Sequence, residues 1–138
     1  MRKRTQAREF ALQLLYQMDI TEGKDCEAVL SNLWQTQEKA VADDVKAFTA
    51  DLVKGAVANI KDIDEKIAQY ASNWQVNRMA VVDRNILRLA SYELLFRSDI
   101  PPKVSINEAI ELAKKYSGIE AAKFVNGILD KVKTDKKV

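Results

Sequence analysis

The eighteen residues from Ala80 to Arg97, AVVDRNILRLASYELLFR, constrain the fold more than any other stretch of the chain. At helical pitch Val82, Ile86, Leu89, Glu93 and Phe96 share one side, and Leu87, Ala90 and Leu94 extend it. Only a narrow stripe through Arg84, Arg88 and Ser91 is left to face solvent. A helix that is apolar nearly all round belongs in the middle of other helices. It would span roughly 27 Å, about the width of a small domain. The expected architecture is therefore all-α, a compact bundle of helices around residues 80–97.

The rest of the chain supplies the surrounding helices. Arg4 to Asp19 places Ala7, Phe10, Ala11, Leu14 and Met18 on one stripe. Cys26 to Gln37 is a second helix, with Trp34 turned inward. A third starts at Asp43 as N-cap and runs through Val45, Phe48, Leu52, Val53, Ala56 and Ile60. Gly55 lies inside it, which points to close packing. Asp62 caps a fourth helix through Ile63, Ile67 and Tyr70, and Ser72 to Arg78 forms a connector with Trp74 anchored inward. After the central helix, Pro101-Pro102 forces an extended turn. Ser105-Ile106-Asn107-Glu108 then reads as a capping box, with Ser105 as N-cap. Gly118 suits the C-terminal cap of that helix, and the last helix runs from Glu120 to Val132. Residues 1–132 form a single domain of about seven helices, and Lys133 to Val138 form a basic tail expected to be disordered. With four glycines and two prolines in 138 residues, long helices are favoured over a sheet with many turns.

Composition narrows the chemistry. The chain has no histidine, which removes the commonest general base and the commonest zinc ligand. Its one cysteine, Cys26, allows neither an intrachain disulfide nor a multi-cysteine metal site, and reads as a small buried apolar residue. No glycine-rich phosphate loop is present. The expectation is a protein without catalysis, cofactor or metal. No apolar run approaches the ~20 residues of a membrane span, so the expected setting is cytoplasmic.

Three polar or charged features stand out. Net charge is +2, yet Arg2, Lys3, Arg4 and Arg8 crowd one end and Lys131, Lys133, Lys136 and Lys137 the other. Such ends are either solvated tails or a nucleic-acid footprint. Arg8, Leu12 and Tyr16 form a second row on the first helix, well off its core stripe. That row is either a second core contact or a strip for a partner. Glu93 falls in the middle of the core face, where a lone carboxylate costs several kcal/mol and so requires a partner. Arg97 is the nearest candidate in sequence, and Asp83, near the helix start, is better placed at a surface.

Taken together, Arg8-Glu9 with Leu14-Leu15-Tyr16, ILRLASYEL at Ile86 to Leu94, the stretch from Pro101 through Val104, INEAIELAKKY at Ile106 to Tyr116 and KFVNGILD at Lys123 to Asp130 resemble the NusB family of bacterial transcription antitermination factors. The resemblance covers residues 1 to about 132 and is most specific in the second half. It implies a helical protein that binds the single-stranded boxA element of nascent transcripts, notably ribosomal RNA leaders. It implies NusE, a small-subunit ribosomal protein, as partner, and delivery to elongating RNA polymerase with other Nus factors. The implied RNA surface comprises Lys3, Arg4, Arg8, Lys123, Phe124 and Asn126, and Lys3, Arg4, Arg8, Lys123 and Phe124 are expected along one continuous surface. The implied NusE surface includes Tyr16 and Asp83, with Leu12 of the same off-stripe row beside them. Thr5 and Gln6 stand where many relatives carry arginines, which bears on unaided RNA affinity.

Two other readings compete. Similar helical domains precede the catalytic domain of some RNA cytosine methyltransferases. That enzyme would need an α/β cofactor domain and a nucleophilic cysteine, and these 138 residues show no strand pattern and one early cysteine, Cys26. The other is a purely protein-binding helical module, such as a homodimer whose interface hides the RNA surface.

Overall fold

The computed structural model describes residues 2–72 and 74–135. In chain order its helices are α1 (Arg2–Thr21), α2 (Cys26–Thr36), α3 (Asp43–Ala58), α4 (Ile60–Tyr70), α5 (Val81–Phe96), α6 (Pro102–Tyr116) and α7 (Ile119–Val132). Single 3-10 turns occupy Val76–Arg78 and Lys133–Asp135, and no strand occurs among the described residues. The all-α bundle expected from the sequence is the fold observed.

Helix α5 is its axis. It packs against α1, α3, α4, α6 and α7, and both Ile86 and Leu89 are buried. The stripe expected to face solvent does not. Ser91 is fully buried, while Arg84 and Arg88 lie half-buried beneath α1 and α4. Those helices bring acids to meet them. Arg84 donates to Asp19 from Nε (2.7 Å) and Nη2 (2.9 Å). Arg88 forks onto Asp64 at 2.8 and 2.9 Å and reaches Asp19 from Nη1 at 2.8 Å. Asn85 donates to the same Asp19 at 2.8 Å. Two guanidiniums can therefore sit inside a helical bundle because every charge has a partner.

Asp19 carries a pH signature. Burial pushes its carboxyl up, but hydrogen bonds from Arg84 and Asn85 and the charges of Arg88 and Arg84 outweigh this, so its pKa lies below the ordinary carboxylate value. The unfolded chain then binds a proton more readily than the folded one. The stability contributed is complete above about pH 4, the unfolded value, and is lost as pH falls through the lower folded value. Urea midpoints measured from pH 7 to pH 2.5 should drop in this acid window. The drop should be smaller in Asp19→Asn, which is already weakened at pH 7. Equal acid sensitivity in both proteins would remove Asp19 as a source.

Helix starts differ from their expected caps. Asp25 caps α2, accepting from the backbone N–H of Ala28 at 3.1 Å. Asp43 and Asp62 are not caps but first-turn residues, where the helix dipole favours an acid. Ser105 is not an N-cap either. Helix α6 begins a turn earlier, with Pro101 as N-cap and Pro102 at its first position. Proline fits there because its fixed φ is already helical and its missing N–H would have been unpaired. Between α6 and α7, Gly118 holds φ at 133°, and its N–H returns to the carbonyl of Ala113 at 2.8 Å. A left-handed glycine thus lets α7 fold back onto α6.

Packing between α3 and α5 depends on another glycine. A Cβ on Gly55 would lie 2.1 Å from Cζ of Tyr92, whose ring stacks on Phe96 at 5.9 Å. Two further expectations are corrected at the periphery. Trp74 is not anchored inward but 55% exposed. Lys133–Asp135, assigned to a disordered tail, form a turn in which Asp135 accepts from the Tyr70 hydroxyl and pairs with Lys66 at 3.2 Å. Residues 136–138, the remainder of that tail, lie outside the described residues.

Candidate nucleic-acid and partner interface

The first basic cluster sits where α1 begins, against α3. Lys3 reaches Asp44 at 3.1 Å, and both side chains are mostly in solvent. The Arg4 guanidinium lies over the Phe48 ring, 4.3 Å from its centroid, and is otherwise exposed. Both cations remain accessible to an anion. An exposed pair of this kind is readily exchanged for a phosphate.

Arg8 is different. It is 2% exposed and cannot be a surface contact. Its Nε and Nη2 fork onto Glu93, each at 2.8 Å, and Nη1 reaches Glu108 at 3.4 Å. The partner required by Glu93 is thus Arg8 of α1, not Arg97, which forks onto Asp99 at 2.9 Å. Ser105 Oγ donates to Glu93 at 2.7 Å, and Thr5 Oγ1 donates to Glu108 at 2.8 Å. The residues of the expected capping box are both committed to this network. Burial opposes the Arg8 charge, but the hydrogen bonds and charge of Glu93, with Glu108, raise its pKa above the usual arginine value. A planar fork meeting a carboxylate is the geometry that favours arginine at such a place.

Of the other proposed RNA residues, Lys123 and Asn126 are exposed on α7 and Phe124 is half-buried. Phe124 meets Trp74 edge-on, with ring centroids 6.0 Å apart. Helix α6 is joined to α1 by the Arg8–Glu108 contact and a 2.6 Å Lys115–Glu9 pair, and packs on α7. The structure does not bring Lys3 and Arg4 into contact with Lys123 and Phe124. Glu108, Glu111 and Lys115 of α6 line a groove with Thr5 and Glu9 of α1.

The off-stripe row of α1 divides. Leu12 is buried, 6% exposed, so for it the second core contact is the right reading. Tyr16 is 39% exposed. It overhangs a groove of about 540 Å³ whose walls include Phe10, Leu12, Val82 and Tyr116. Leu12 therefore lines the groove floor without projecting from it. Asp83 follows Val82 in the first turn of α5, half-buried, and one of its carboxylate oxygens is buried without a hydrogen-bond partner among the described residues. Sequence reasoning missed Ile20, Tyr116 and Ile119, all exposed large apolar residues. Ile20 was legible in principle, one turn beyond Tyr16. The other two flank the α6–α7 turn and share no periodicity with α1.

Comparison with known proteins decides the family. The model of the NusB family matches residues 5–134. The chain belongs to the NusB family. Transcription antitermination protein NusB of an Anaeromyxobacter species is 52% identical over 134 residues, covering 94% of this chain and 89% of the relative. That of Thermodesulfovibrio yellowstonii is 42% identical over 137 residues, covering 94% and 91%. Among solved structures, T. maritima NusB superposes with a TM-score of 0.86 at 37% identity, covering 98% of this chain and 93% of its own. A crystal structure of the antitermination factors NusB and NusE in complex with double-stranded RNA superposes with a TM-score of 0.85 at 31% identity, covering 97% and 98%. No described helix is long and apolar enough to cross a membrane.

Proposed function

We propose that this NusB-family chain is a non-catalytic adaptor that binds boxA RNA of nascent ribosomal RNA transcripts together with NusE. The pair then joins the RNA polymerase elongation complex with other Nus factors in the cytoplasm and suppresses termination. The observation that carries the reading is the groove beneath Tyr16. An exposed tyrosine over an apolar floor, with the half-buried Asp83 next in sequence to Val82 of that floor, suits a protein segment with an apolar anchor and a basic flank. The solved relative that holds NusE and RNA supports both partners. Lys3 and Arg4 supply phosphate contacts, and Lys123, Phe124 and Asn126 form a second contact on α7. With so few cations, unaided affinity should be modest and salt-sensitive, and NusE should raise it.

The test is a titration of a single-stranded boxA oligoribonucleotide with and without NusE. Tyr16→Ala should weaken NusE binding by roughly thirtyfold, about 2 kcal/mol, while keeping the fold and the unaided RNA affinity. Lys3→Glu with Arg4→Glu should weaken RNA binding without NusE and flatten its dependence on salt. The reading fails if boxA RNA binds no better than an unrelated strand with NusE present. A Tyr16→Ala protein that melts many degrees lower with unchanged NusE affinity would move the partner surface elsewhere.

A further inference from the structure

Trp74 has no role in the reading above, and its position asks for one. Tryptophan carries the largest apolar surface of any side chain and is highly buried on average. Here it is 55% exposed, in the connector between α4 and α5. The connector is not loose at this point, since the Trp74 N–H bonds to the carbonyl of Ala71 at 2.6 Å. Its ring meets Phe124 at an interplanar angle of 70°. In an edge-on pair the edge of one ring abuts the face of the other, so the contact occupies at most one face of the indole and leaves the other for stacking.

The surroundings indicate what the open face accepts. Around the Tyr16 groove Phe10, Leu12, Val82 and Tyr116 supply an apolar floor, with Gln6, Glu9 and Gln13 also among the lining residues. Around Trp74 the neighbours are polar or cationic in sequence and exposed in structure. Ser72, Gln75, Asn77 and Arg78 lie in the same connector, and Lys123 and Asn126 flank Phe124 on α7. The Lys123 ammonium has a contact of only 3.5 Å with Glu120, both side chains being largely in solvent. An aromatic face bordered by hydrogen-bonding groups and a free-swinging cation matches an unpaired nucleobase with its phosphate. It does not match an apolar protein segment.

We infer that Trp74 and Phe124 form a two-ring platform on which an unpaired RNA base stacks, with Trp74 supplying the open face and Lys123 the phosphate contact. This rests on the RNA-binding reading and adds to it a residue from outside the helices. Stacking of one base on an aromatic side chain is worth about 1–3 kcal/mol, so loss of the indole should weaken binding by roughly five- to 150-fold. The preference would be for an unpaired base and not for one particular base, since every base offers a face.

The experiment uses the full chain with NusE and a single-stranded boxA oligoribonucleotide. Trp34→Phe leaves Trp74 as the one tryptophan of this chain, so with the signal of NusE alone subtracted the fluorescence reports on this site. RNA should quench it, whereas the same RNA annealed to its complement should quench it much less. Trp74→Ala should weaken RNA binding by tenfold or more, and Trp74→Phe should recover most of that loss, with NusE affinity unchanged in both. If the parent protein binds RNA but shows no quenching, and Trp74→Ala binds within twofold of it, the platform is wrong while the RNA-binding reading survives. If the parent protein with NusE does not bind the RNA at all, both fall. Because quenching is read on the native Trp74, a Trp74→Ala protein that fails to fold does not remove the test.

Discussion

Replacing Arg8 by methionine should lower the unfolding free energy by about 3–5 kcal/mol, the usual cost of leaving a buried charge without its partner. Methionine approximates the length of the stem, so the lost packing is small. What remains is Glu93, 1% exposed, with Ser105 as its one hydrogen-bonding neighbour among those described. A second change that removes the Glu93 charge, Arg8→Met with Glu93→Gln, should recover at least half of the loss. Urea unfolding at pH 7 measures both. The resemblance that placed Arg8 on an RNA surface makes the opposite forecast: stability changed by less than about 1 kcal/mol, with RNA affinity down more than tenfold. That outcome would show that the guanidinium leaves Glu93 in solution.

The second large effect is expected at Gly55. Gly55→Ala should destabilise the protein by about 3 kcal/mol, toward the upper end for added volume in a packed core. The added methyl would meet Cζ, Oη and Cε1 of Tyr92 at 2.1, 2.3 and 2.4 Å. The ring cannot rotate in place without breaking its stack on Phe96. Alanine is also the better helix former by about 1 kcal/mol, and this gain is hidden while the clash exists. In a Tyr92→Ala background the clash is gone, so Gly55→Ala should become stabilising by roughly that amount. A reversal of sign between the two backgrounds is the decisive observation. The same sign in both would mean that Tyr92 swings aside at no cost.

These two positions also show what a sequence can and cannot display. Gly55 was legible because a glycine amid a clean helical stripe implies that something lies close, although its partner Tyr92 was not named. The need of Glu93 for a cation was equally legible from its place on an apolar face. Its identity was not, because Arg8 lies 85 residues away and only the packing of α1 on α5 joins them. Arg97 is within one turn, yet Asp99 lies nearer still and holds it. The Ser-x-x-Glu signal at Ser105 was real as a pattern but lost to Pro102, which starts the helix a turn earlier and leaves Ser105 and Glu108 free for Arg8. Trp74 failed for a related reason. Its aromatic character argued for burial, and nothing local revealed that Phe124 would support it from the side. The position of Tyr16 was the better case, since a helical row off the core stripe is visible in one dimension, and the structure leaves that tyrosine exposed while drawing Leu12 inward.

The network around Arg8 has a consequence for how the chain comes into being. Thr5 and Arg8 are satisfied by residues 103 and 85 positions later, so α1 leaves the ribosome long before its acids exist. At about 5–20 residues per second, Glu93 follows Arg8 after roughly 4–17 s. For that interval α1 is a nascent amphipathic segment with Arg8 exposed, able to engage any acidic surface nearby. The Arg8 network can close only when the stretch through Glu108 has emerged, which ties completion of the fold to the synthesis of α6.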